Sequence, residues 1–188
     1  MTLQDFLSDL KSKTKPLKYS GLSQISGLST EEAAAFKVAW GSVPGSRKQE
    51  IVNKLVELSD DNIELDFTQV FKLCLKDTGS CVREKATRGL WECGDRTIIR
   101  PLINLLLSDP SDKVRAAASD TLSRFTVMAQ NDKLIAQDAG RIQEALITVI
   151  EDKDEEVEVK RRAIEAISAF DLPKVDQIIR NAYRSNNL

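Results

Sequence analysis

The sequence has no histidine and only three cysteines in 188 residues. Without histidine, a Ser-His-Asp or Cys-His nucleophile is excluded, and the commonest general base and metal ligand are missing. Cys74, Cys81 and Cys93 are odd in number and form no Cys-x-x-Cys pair. They read as reduced thiols, and a thiolate metal site is not expected. No cofactor is expected either. No apolar run approaches the ~18 residues that a membrane span needs, so no membrane partner is expected. The opening "MTLQDFLSDLKSKTK" interleaves charge with apolar residues, unlike a secretory leader. The expected location is therefore cytoplasmic. An excess of positive charge is also absent, with net charge −2 and a pI of about 5.4. That balance disfavours a nucleic-acid partner. Chain breakers are scarce, at eight glycines and five prolines. With 41% hydrophobic and 30% charged residues, the chain reads as globular and helical.

What is present is a repeat. The phrase Asp-x4-Val-basic-x2-Ala-x3-aliphatic fits Asp77, Val82, Arg83, Ala86, Leu90. It fits again at Asp109, Val114, Arg115, Ala118, Leu122 and at Asp154, Val159, Lys160, Ala163, Ile167. A degenerate copy keeps Lys48, Ile51 and Leu55. The basic residues stand 35, 32 and 45 residues apart, and the last gap holds extra chain, "TVMAQNDKLIAQDAG". Each phrase precedes a second segment with apolar residues at three- and four-residue steps: 64–75, 97–107, 140–150 and 173–183. The unit is a helical hairpin, read as 44–76, 77–108, 109–151 and 152–185. Gly94-Asp95 suits the turn inside one hairpin, and Pro101 should kink the next helix or mark its first turn.

Residues 1–43 read as an N-terminal extension packed on the first hairpin. Leu3, Phe6, Leu7 and Leu10 suggest a short amphipathic helix, and residues 13–28 look irregular. Ser29 with Glu32 forms a capping box that opens a helix running to Trp40, which "GSVPGS" ends.

The thrice-repeated phrase resembles the HEAT repeat, most like the short bacterial type also seen in phycobilisome lyases. The resemblance spans residues 44–185. It implies an all-α solenoid, a right-handed superhelix of about four hairpins whose second helices line a concave face. It also implies an inter-repeat ladder of Asp77, Arg83, Asp109, Arg115, Asp154 and Lys160. Val114, Ala118 and Leu122 share one stripe, and Arg115 at its edge can lay its stem on apolar surface while its head stays polar. Lysine at 160 lacks the planar fork, so Arg161 or Arg162 would substitute.

The second helices carry Lys72, Lys76, Arg96, Arg100, Arg141, Arg180 and Arg184. A shared face would suit an acidic partner. Aligned on the turn aspartate they do not share a position, because Lys72 falls opposite Asn104. Lys72, Lys76, Arg100, Asn104, Arg141, Arg180 and Arg184 are the candidate binding residues of the concave face. The acidic run "EDKDEEVE" at 151–158 reads as a solvated turn, since its spacing fits no calcium loop. Trp40 and Trp91 read as packing residues. The expected function is non-enzymatic binding or scaffolding of another protein. The alternatives are a bilin lyase or lyase subunit, and a nucleic-acid-binding repeat protein. No capping helix follows the last apolar segment, so the C-terminal end is expected either to continue in a longer chain or to pair with a second copy.

Overall fold

A computed structural model of the chain describes residues 2–12 and 15–184, the side chains of Ala182 and Tyr183 excepted. Among these residues every regular element is helical. The chain divides into two compact units, Met1–Leu90 and Trp91–Leu188. The division falls inside the stretch 77–108 that the sequence suggests as one hairpin.

The first unit holds α1 (Leu3–Leu10), a 3₁₀ segment (Tyr19–Ile25), α2 (Thr30–Trp40), α3 (Gly45–Asp61), α4 (Thr68–Cys74) and α5 (Ser80–Gly89). Reciprocal capping boxes open α1, through Thr2 and Asp5, and α2, through Ser29 and Glu32. The 3₁₀ segment lies where irregular chain is expected. It forms because Leu22 and Ile25, three residues apart, are both fully buried. Helix α5 packs on α3 and α4, α4 also on α2, and α1 on α2. Gly89 ends α5 against the Phe71 ring of α4. A β-carbon at 89 would lie 2.5–2.8 Å from that ring, so only glycine admits this approach.

The second unit holds a short 3₁₀ turn (Arg96–Ile98), α6 (Ile99–Ser108), α7 (Asp112–Gln130), α8 (Ala136–Glu151), α9 (Val157–Ile167) and α10 (Pro173–Arg184). Asp95 caps the 3₁₀ turn, its Oδ1 accepting from the Thr97 N–H at 2.8 Å. Pro101 sits in the first turn of α6, where its missing N–H costs nothing. The helices form two layers, with α7 against α9 in one and α6 against α8 in the other, and α7 touching α6 and α8 as well. That is the hairpin stacking of an α-solenoid. Helix α7 explains its own composition. Val114, Ala116, Ala117, Ala118, Ser119, Thr121, Leu122, Phe125 and Thr126 are all buried, so it is enclosed on most sides and small side chains let three neighbours approach.

The extra chain after the Asp109 phrase lengthens α7 to 19 residues and forms the turn behind it. Asp132 takes a left-handed φ of 56° there, and the Lys133 N–H reaches back to the Met128 carbonyl at 2.8 Å. This is a Schellman-type stop with aspartate in place of glycine. No helix among the described residues is long and apolar enough to cross a membrane.

Candidate functional site

The repeated phrase builds the same turn each time. Asp77 Oδ1 accepts from the Gly79 N–H, and Asp109 Oδ1 from the Ser111 N–H, both at 2.9 Å. Asp152 Oδ1 accepts from the Asp154 N–H at 2.9 Å. Asp152 therefore holds the position that Asp77 and Asp109 hold, and Asp154 supplies only its backbone to that turn. The third turn is two residues longer between that aspartate and the next helix. The arginine that follows folds back on the turn. Arg83 Nη1 donates to the Asp77 carbonyl at 2.9 Å, and Arg115 Nη1 to the Asp109 carbonyl at 2.7 Å. Lys160 makes no hydrogen bond or ion pair among the described residues. Arg162 reaches Asp120 of α7 at 3.6 Å, and Arg161 pairs with Glu158 and Glu165 of its own helix.

Shorter ion pairs also link successive copies at the turns. Arg115 grips Glu155 in the next turn with Nε–Oε2 at 2.8 Å and Nη2–Oε1 at 2.6 Å. In the first unit, Lys48 Nζ donates to Asp77 Oδ2 at 2.7 Å, and the Trp40 indole N–H donates to the same oxygen at 2.8 Å. The Lys48–Asp77 pair is withdrawn from water, with side chains 13% and 4% exposed. The Lys48 ammonium also lies 5.3 Å from the Trp40 ring centroid. Burial alone would raise the Asp77 carboxyl. The hydrogen bonds from Lys48, Gly79 N–H and Trp40 outweigh it and hold its pKa below the ordinary value. Burial, reinforced by the Asp77 charge, pushes the neighbouring Cys74 thiol up. Cys74 is thus a protonated core residue and no nucleophile. Trp91 differs from Trp40, being 48% exposed.

The acidic run disperses its carboxylates. Glu151 pairs with Lys174, Asp152 holds the turn, Glu155 binds Arg115 and Glu158 binds Arg161 and Arg162. Among the described residues no three potential metal ligands converge.

Of the candidate binding residues, the structure brings Arg100, Asn104 and Arg141 together. They line a groove of about 490 Å³ with Ile103, Leu107, Glu144, Ala145 and Thr148. Its walls are two stripes. Arg100, Ile103, Asn104 and Leu107 follow i, i+3, i+4, i+7 on α6, and Arg141, Glu144, Ala145 and Thr148 repeat that spacing on α8. Arg96, just before α6, clasps Asp138 in the first turn of α8 at 2.6 and 2.9 Å. The clasp sets the N-terminal ends of α6 and α8 side by side, so both stripes run the same way. Arg141 touches the other Asp138 oxygen at 3.5 Å. Arg100 is exposed and makes no hydrogen bond or ion pair among the described residues. Lys72, on α4, and Lys76 after it belong to the first unit, and Arg180 and Arg184 lie exposed on α10. None of these four lines the groove. The matching stripes were present in the sequence, but alignment on the preceding turn hides them because the long α7 displaces α8.

Residues 98–127 match the HEAT repeat. No curated protein matches the chain. The matched window joins α6 to α7 across the Asp109 turn, so its hairpin has a different origin from the 77–108 and 109–151 stretches. In that phase α6 is the first helix and α7 the second. The groove between α6 and α8 therefore lies on the layer of first helices, and the rule that second helices line the concave face does not assign it there. HEAT repeats commonly mediate protein–protein interaction. The helical hairpins and the recurrent Asp-to-Arg turn agree with this match, and the chain contains a HEAT repeat at residues 98–127.

Proposed function

We propose that this chain is a non-enzymatic protein-binding or scaffolding module and that the groove between α6 and α8 is its docking surface. The observation that carries the reading is the pair of matched stripes. They expose a guanidinium with no ion pair among the described residues, Arg100, and a half-exposed aliphatic, Leu107, 45% accessible, on a two-helix wall. Binding surfaces combine an apolar anchor with a few directed polar groups in this way. The ion-paired turns hold the wall in place and are structural in this reading. The thiols of Cys74, Cys81 and Cys93 are unpaired, which suits a reducing cytoplasmic setting.

The test compares the wild-type chain with an Arg100→Glu/Leu107→Asp variant of equal melting temperature, both immobilised and exposed to source lysate. A protein retained by the first and lost by the second is the expected result. Equal retention by both removes the groove from the reading. No specific retention by either removes the module itself.

A further inference from the structure

The groove is chemically polarised along its length. Its N-terminal end carries Arg100 and Arg141. Among the described residues Asp138 is the carboxylate that contacts either of them, and Arg96 already binds one of its oxygens through two nitrogens. Arg141 reaches the other oxygen only at 3.5 Å, and Arg100 reaches neither. Two guanidinium groups therefore line this end of the groove, and Arg100 touches no carboxylate among the described residues. One turn further along α8 stands Glu144, which repels a second anion from the middle of the groove. The far end is uncharged, formed by Leu107 on α6 and Thr148 on α8. From Arg100 to Leu107 the helix rises ~10 Å, a distance an extended peptide covers in about three residues.

We infer that the groove takes an acidic peptide segment in one orientation, with its carboxylates at the Arg100–Arg141 end and an aliphatic side chain at the Leu107 end. This deepens the protein-binding reading and rests on it. Charge complementarity selects the acidic end, because arginine matches carboxylate geometry with paired donors. The aliphatic end and Glu144 select a peptide over a nucleic acid, whose phosphates would follow the whole groove and meet Glu144.

The experiment is backbone amide NMR of the full-length, nitrogen-15-labelled chain titrated with defined probes. The probes are the acetylated peptides EEGALG, KKGALG and EEGAGG and a short oligothymidylate. The expected result is that EEGALG shifts Arg100, Asn104, Leu107, Arg141 and Thr148. EEGAGG should leave Leu107 and Thr148 unmoved, and KKGALG should leave the whole groove unmoved. Arg100→Glu should weaken EEGALG by about tenfold. Arg100 is exposed and makes no hydrogen bond or ion pair among the described residues, so the variant keeps its fold, and an unchanged spectrum outside the groove verifies this. Preference for KKGALG, or indifference to charge, overturns the inference while leaving the groove as a protein site. Stronger groove binding by oligothymidylate overturns it in favour of a nucleic-acid ligand. No groove shift with any probe overturns both the inference and the groove as a docking surface.

Discussion

Asp77 shows how one carboxylate serves several elements. It accepts from α2 through Trp40, from α3 through Lys48 and from its own turn through Gly79. Its folded pKa is depressed, so its stabilisation is complete above the unfolded carboxyl value of about 3.9 and is lost as pH falls through the folded value. Asp77→Asn should cost about 2–4 kcal/mol at neutral pH, because it leaves Lys48 buried without its counter-charge. The gap to wild type should narrow as pH drops from about 5 to 2. Urea melts of both proteins across that range check it, and a constant gap would contradict the assignment. Arg115 offers a second test. Arg115→Lys keeps the charge and loses the fork to Glu155, at an expected cost of about 1–2 kcal/mol in a thermal melt. Lys160→Met should fall within about 0.5 kcal/mol of wild type, since Lys160 makes no hydrogen bond or ion pair among the described residues. The sequence phrase marks Asp77, Arg83, Asp109 and Arg115 because each also makes a bond within its own turn. Glu155, Lys48 and Trp40 are harder to see because they stand 29 to 40 residues from their partners.

Between elements, close approach and small side chains decide the packing. Gly89→Ala should destabilise the first unit by about 1–3 kcal/mol, since the added methyl meets the Phe71 ring. With Phe71→Leu in the same chain the two losses should sum to less than their separate values. Thr126 Oγ1 joins α7 to α9 through the Ala166 carbonyl at 2.7 Å. Thr126→Val keeps the shape, removes that bond, and should cost about 1–2 kcal/mol. Hydrogen exchange should find the slowest amides of the second unit in α7, the helix its neighbours enclose. The helices themselves were legible from three- and four-residue periodicity, and Ser29–Glu32 located the start of α2. The 3₁₀ segment at 19–25 was not, because Leu22 and Ile25 are too few to set a period. The phase of the hairpins was not legible either. A periodic pattern fixes the repeat length and leaves its origin free, so α6 can be counted with α5 or with α7.

Across the molecule, the groups that hold the helices together differ from those proposed to meet a partner. The ion-paired turns use their charges internally, whereas Arg100, Leu107 and Asn104 face outward from α6 in a groove completed by α8. Residues 185–188, the end on which self-association through the C-terminus was expected, lie outside the described residues. The most direct measurement places a photo-crosslinking amino acid at Asn104, in the groove, and at Val38, which is exposed on α2, and irradiates each in source cells. The account predicts a discrete protein adduct from position 104 that Arg100→Glu abolishes and that position 38 does not form. The same adducts from both positions, or none from position 104, would contradict it.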